Sequence, residues 1–141
     1  MRSMRRANAG VTLMELLTVV VIIGILSAIA IPSYRAYVFR ANRAEAKTGL
    51  LAMAGSLERC FTRNNTYLNC GLTIPLLAPS GKYQIDADGA NGGIAAAAYA
   101  LKATPQGSQT SDARCGTFLL DDRNTRNITG GTATAQECWG R

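Results

Sequence analysis

Hydrophobic positions fall along this chain in three regimes. From Val11 to Ile31 the residues are almost continuously apolar, 21 positions with one charge, Glu15. From Pro32 onward the apolar or weakly polar residues Tyr34, Tyr37, Val38, Ala41, Ala44, Thr48, Leu51, Ala54 and Leu57 recur mostly three or four apart, the period of an amphipathic helix. After Asn64 the pattern shortens to period two, with Tyr83, Ile85 and Ala87 alternating with Lys82, Gln84 and Asp86. Strand-like composition returns in Ala98 to Thr104 and in Cys115 to Asp121. The pattern predicts an α+β chain, in which a long N-terminal α-helix, transmembrane in one half and amphipathic in the other, packs on a small antiparallel β-sheet.

The helix is expected to run from residue 11 to residue 63, about 80 Å at 1.5 Å per residue, too long for so small a core to cover. Gly49 and Gly55 each weaken it by about 1 kcal/mol relative to Ala. Asn64 and Asn65 stop it and open a loop. Arg40, Arg43 and Lys47 form a basic stripe at i, i+3 and i+7, which reads either as a solvated surface or as a contact between subunits. Three strands are expected beyond the helix, with Gly89 to Gly93 and Pro105 to Asp112 as turns.

A helix over residues 11–31 covers the roughly 30 Å bilayer core. Arg2, Arg5 and Arg6 precede it, so the positive-inside rule places the N-terminus in the cytoplasm and the rest of the chain across the membrane. Three readings compete for this segment. It fits a cleaved secretory signal with Ala28-Ile29-Ala30 at the cleavage site, against which Glu15 argues, or a plain single-span anchor. The third reading takes Glu15 as functional, because an ionisable residue within a membrane helix requires a cationic partner.

The 25 residues from Gly10 to Tyr34, GVTLMELLTVVVIIGILSAIAIPSY, closely resemble the N-terminal signature of type IV pilins and related pseudopilins. A short basic leader ends in Gly10, Glu15 is the fifth residue after it, Gly24 lies within the span and Pro32 near its end. The resemblance implies that a membrane-embedded prepilin peptidase cuts after Gly10 and that Val11 becomes N-methylated. Phe is usual at that place, so Val11 departs from the pattern. An amine exposed by that cut in low dielectric needs a carboxylate nearby, which Glu15 would supply to a neighbouring subunit. Gly24 and Pro32 are expected either to mark a local bend or melting point on assembly or to be ordinary residues of a membrane helix. The implied organisation is a cytoplasmic leader over 1–10, the helix over 11–63 and a head over 64–141.

Composition narrows the chemistry. The 141 residues contain no histidine, which removes the commonest general base and metal ligand. No nucleophile–base pair, phosphate loop or carboxylate constellation stands out, so no enzyme and no cofactor are expected. Formal charge is +6, and leaving out the three leader arginines makes it +3, which permits a nucleic-acid partner without indicating one. The four cysteines, Cys60, Cys70, Cys115 and Cys138, include no C-x-x-C pair, so disulfides in an oxidising compartment are expected rather than a metal site. Of the three pairings that four cysteines allow, we favour Cys60 with Cys70 and Cys115 with Cys138. The resemblance supports the second pair, since type IV pilins commonly close a disulfide-bounded C-terminal loop.

Further along, Glu58 to Tyr67, Cys115 to Asp121 and the ending Cys138-Trp139 look similar to the PilE-like minor pilins, while residues 68–99 are unmatched. The resemblance implies a structural subunit of a Gram-negative type IV pilus, or fimbrium, a minor pilin with roles in pilus assembly, adhesion and twitching motility. Its implied partners are other pilin subunits, the prepilin peptidase and an inner-membrane assembly platform. Its implied location is the inner membrane first and then the extracellular pilus. Two alternatives stand beside it. One is a DNA-binding minor pilin for DNA uptake, with Arg114, Arg123 and Arg126 as contacts and Trp139 as an aromatic surface. The other is a type II secretion pseudopilin, against which the two disulfides weigh, since those heads more often use calcium and only the pairs Asp86, Asp88 and Asp121, Asp122 offer carboxylates.

Overall fold

The computed structural model describes residues 10–140; the leader arginines lie outside the described residues. Helix α1 spans Leu13–Asn64 and takes in both Gly24 and Pro32. Thr12 caps its start, accepting a hydrogen bond on Oγ1 from the Glu15 N–H at 3.2 Å. At its end Asn65 turns to a positive φ of 55°, closing the helix where Asn was expected to stop it.

The chain divides into two units after Tyr37. In the first, α1 is exposed almost throughout, with Leu13 at 84% and Ile29 at 71%. In the second, α1 packs on a sheet of five strands, β1 Leu76–Leu77, β2 Tyr83–Ala87, β3 Ala100–Pro105, β4 Thr117–Asp121 and β5 Arg126–Thr129, in that spatial order and all antiparallel. A short helix α2, Ala135–Trp139, follows. The expected turns hold single-turn 3-10 helices at Gly89–Asn91 and Gly107–Ser111.

Three strands were expected and five are present. The two extra ones lack a readable period. β1 has only two residues, both exposed, and β5 has Ile128 as its sole apolar residue. The alternation in the other strands sorts side chains as it should: Tyr83 and Ile85 on β2, Leu101 and Ala103 on β3, and Phe118 and Leu120 on β4 are all buried. Register brings them onto one face, since Ile85 opposes Ala103, Leu101 opposes Leu120 and Ala103 opposes Phe118.

Only the last part of the expected face of α1, Ala54 and Leu57, meets this layer; before it a different face docks. Asn42, Ala46, Leu50, Met53, Ala54, Leu57 and Cys60 are buried, whereas Tyr34, Tyr37, Ala41, Ala44, Thr48 and Leu51 are exposed. Both sets have helical spacing, so periodicity alone could not choose between them; the sheet's own geometry did. Leu50 and Leu57 are fully buried, each contributing roughly 1.5–3 kcal/mol. Gly49 has a packing reason as well, because a Cβ there would overlap Ile85 Cδ1.

The basic stripe is neither a solvated surface nor a set of free intersubunit contacts. Arg43 grips Asp112 with two hydrogen bonds, Nε to Oδ2 at 2.6 Å and Nη2 to Oδ1 at 2.5 Å. Gln109, wholly buried, accepts from Asn42 Nδ2 at 2.8 Å and donates to Asp112 Oδ2 at 3.1 Å and to the Tyr83 hydroxyl at 3.3 Å. This network binds the loop between β3 and β4 to α1 with each member satisfied. The hydrogen bond to Asp112 is the main reason that the Arg43 guanidinium is held above its ordinary pKa. Lys47 is also engaged, and only Arg40 of the stripe remains exposed and unpaired among the described residues.

Replacing Asp112 with Ala strands Arg43 and Gln109 in a poorly solvated place. The expected loss of head stability is roughly 2–4 kcal/mol, checked by urea unfolding of the full chain in detergent. Asp121→Ala, which removes an exposed turn acceptor instead, is the control, with a smaller loss.

Candidate functional site

Two regions carry the residues singled out by the sequence. The first is the start of α1. Gly10 and Val11 precede the helix and are exposed. Glu15 occupies the third helical position after the Thr12 cap, where the unpaired N–H groups of the first turn favour a negative charge. Its backbone carbonyl accepts from Thr18 Oγ1 at 2.8 Å, while among the described residues its carboxylate has no hydrogen-bond or ionic partner. A Cβ added at Gly24 would meet nothing within 4 Å, and the residues flanking it and Pro32 are exposed.

The second region is the C-terminal loop. Both disulfides form as favoured: Cys60 with Cys70 and Cys115 with Cys138, each with Cα atoms 5.7 Å apart. The first closes the turn after α1, where Phe61 stacks on Tyr67 at 4.5 Å and Tyr67 donates to Glu58 at 3.1 Å. The second joins Cys115, two residues before β4, to α2. Close backbone approach makes that possible, since Gly116, at φ 57°, sits where a Cβ would collide with the carbonyls of Thr129 and Gly130. Thr132 and Ala133 donate their N–H groups to the carbonyls of Ala113 and Arg114, both at 2.9 Å.

α2 was missed, although its signal is present as Thr134-Ala135-Gln136-Glu137, a capping box in which Thr134 Oγ1 accepts from the Glu137 N–H and Glu137 accepts from the Thr134 N–H. Lys47 completes its other end, donating Nζ to the carbonyls of Cys138 and Trp139 at 3.3 Å each. Burial and the neighbouring Arg43 draw the Lys47 pKa below its ordinary value.

Trp139 is not an exposed aromatic surface. Only 7% accessible, it packs edge-on against Phe118 at 5.4 Å and donates its indole N–H to the Asn127 carbonyl at 2.9 Å. Arg126 lies over its ring at 5.6 Å and bonds Asn124, so this arginine is partly committed. Arg123 is exposed in the turn between β4 and β5, which Asp121 shapes by accepting from the N–H groups of Arg123 and Thr125. Arg114 is exposed before the other end of β4. The three arginines therefore do not converge: Arg123 and Arg126 share one end of the hairpin and Arg114 lies at the opposite end. Of the carboxylates weighed for calcium, Asp121 serves its turn and Asp88 accepts from Asn91 at 2.5 Å. No group of three potential metal-ligating side chains occurs among the described residues.

A family model described as "Type IV minor pilin ComP, DNA uptake sequence receptor" matches residues 32–119, more than half of the chain, and one for the prokaryotic N-terminal methylation motif matches residues 5–31. The chain is a type IV pilin. The first match crosses residues 68–99, which the resemblance had left open.

Among relatives, the type IV major fimbrial protein FimA of Dichelobacter nodosus is 37% identical over 112 residues, 73% of this chain and 70% of that protein. The type IV major pilin protein PilA of Myxococcus xanthus is 45% identical over 60 residues, 43% of this chain. That alignment spans only 27% of the length of PilA. A solved type IV pilin from Shewanella oneidensis covers 73% of this pilin and 99% of its own chain, at 24% identity and a TM-score of 0.46. Helix α1 of this pilin, Leu13–Asn64, is long and apolar enough to cross a membrane.

The two disulfides close loops of different length, with sequence separations of 10 and 23. Replacing both cysteines of a pair by Ser is expected to cost about 3 kcal/mol in either case, with the Cys115–Cys138 pair costing roughly 0.7 kcal/mol more. Urea unfolding followed by Trp139 fluorescence measures both.

Proposed function

We propose that this pilin is a minor subunit of a type IV pilus, held in the inner membrane by residues 11–31 with its N-terminus in the cytoplasm and its head outside. A prepilin peptidase removes residues 1–10 at Gly10, Val11 is methylated, and an assembly platform feeds the subunit into a filament that serves adhesion and twitching motility. The observation that carries this reading is the apolar surface the chain leaves uncovered. It comprises the exposed side chains of residues 13–31 together with Ala41, Ala44, Thr48 and Leu51 on the exposed side of α1. Neighbouring helices would cover it on assembly, Glu15 would neutralise the amine of an adjacent Val11, and Gly24 and Pro32 would allow the helix to adjust on leaving the bilayer.

Two measurements test it. The intact mass of the subunit in sheared filaments is expected to begin at Val11 with one methyl group and to be a small fraction of total pilin; a mass beginning after Ala30 overturns the anchor. Glu15→Ala is expected to remain cleaved and membrane-bound yet absent from filaments, and normal incorporation of that variant overturns the role given to the carboxylate.

DNA reception is the second reading, favoured by the family description and by the exposure of Arg114 and Arg123. With Arg123 and Arg126 at one end of the hairpin and Arg114 at the other, it has a specific consequence. Two or three phosphate contacts give a log–log salt slope of about −2 to −3, and Arg123→Ala reduces the slope by about 1. Retention on DNA that is absent or indifferent to salt rules it out.

A further inference from the structure

Immediately beyond the apolar run, α1 carries Tyr34, Arg35 and Tyr37, all exposed, the tyrosines at 69% and 64%. They are not part of the head's core, and Arg35 has no ionic partner among the described residues. Axial spacing places them. Tyr34 lies three residues past Ile31, about 4.5 Å along the axis, and Tyr37 about 9 Å. The headgroup region on each side of the hydrocarbon core is roughly 5–8 Å thick, so Tyr34 starts near its inner edge and Tyr37 just past its outer edge, with the Tyr37 ring brought into the layer by the backward lean of helical side chains toward the N-terminus. Tyrosine has an apolar ring and a polar tip and so gains from that layer rather than from either side of it. Charge is one-sided as well: residues 32–41 contain Arg35 and Arg40 and no acidic residue, and Arg43 beyond them is already paired with Asp112.

We propose that Tyr34, Arg35 and Tyr37 form a belt that binds the anionic phospholipid headgroups of the leaflet facing the head, and so sets the depth at which the subunit waits before assembly. This rests on the reading that residues 11–31 span the membrane. The tyrosine rings lie among the glycerol and upper acyl groups, while Arg35 extends its aliphatic stem along the helix and presents its guanidinium to lipid phosphate. The belt opposes both deeper burial, which would desolvate Arg35, and withdrawal, which would expose the apolar run. It also gives filament entry a lipid-dependent step, because the headgroup contacts must break as the subunit leaves.

The test uses the full chain in vesicles of phosphatidylcholine, alone or mixed equally with phosphatidylglycerol, carrying bromine near the headgroup or deep in the acyl chains. Tyr37→Trp reports on the belt and Ile23→Trp on the span; Trp139, in the head, provides a constant background. Shallow bromine is expected to quench the probe at position 37 about twofold more than deep bromine, with the opposite order at position 23. Phosphatidylglycerol should strengthen quenching at position 37, salt should reverse that gain, and adding Arg35→Gln should abolish it. A probe at position 37 that stays unquenched while position 23 is quenched overturns the belt and leaves the span intact, returning the tyrosines to contacts with neighbouring subunits. An unquenched probe at position 23 overturns the span itself. Quenching at position 37 that is indifferent to phosphatidylglycerol overturns the assignment to anionic headgroups.

Discussion

Among the described residues nothing covers the apolar side chains from Leu13 to Ile31. At about 25 cal/mol per Å² of apolar surface, a helix this exposed is strongly driven out of water, and no rearrangement of a head with so few large hydrophobic residues could enclose it. Lipid would satisfy it, and in the proposed filament so would the helices of like subunits. The rest of the molecule is arranged around that constraint. Glu15 sits in the first turn, where the helix dipole favours its charge. The head is confined to one side of the later turns of α1, which leaves Ala41, Ala44, Thr48 and Leu51 exposed.

The head itself has little core, and it substitutes cross-links and polar clamps for apolar volume. Arg43, Asp112 and Gln109 fasten the loop between β3 and β4 to α1, and Lys47 fastens α2 to the same helix by capping its carbonyls. The second disulfide joins that fastened helix to the start of β4, and Trp139 seals the end of the sheet against Phe118. A polar network of this kind does not rank high for raw stability, but it admits one register and one docking face, which would suit the repeated presentation of one surface in the proposed filament.

That arrangement bears on the DNA reading. Trp139 and Arg126 serve the fold, so stacking on bases is not available to the tryptophan, and the three candidate arginines remain as separated points at the two ends of the hairpin. Recognition by such points depends on backbone phosphate and on shape more than on base contacts.

The extent of α1 and three central strands were legible in the sequence because each rests on a local rule, an apolar run or a period of three to four or of two; the Cys60–Cys70 pairing followed from a short loop, and the Cys115–Cys138 pairing drew on the family resemblance as well. Thr134 to Glu137 announced α2 by the same kind of rule and was passed over. What the tertiary structure alone decided was which side of α1 docks. Tyr34 through Leu51 and Asn42 through Cys60 both repeat at helical intervals, and a periodicity states that a face exists without stating what covers it. Asn42, Arg43 and Lys47 belong to the docked side only because Gln109, Asp112 and the carbonyls of α2, between 65 and 100 residues away in sequence, are brought against them. Polar residues read as surface until a distant partner removes their need for water, and that partner is set by the fold.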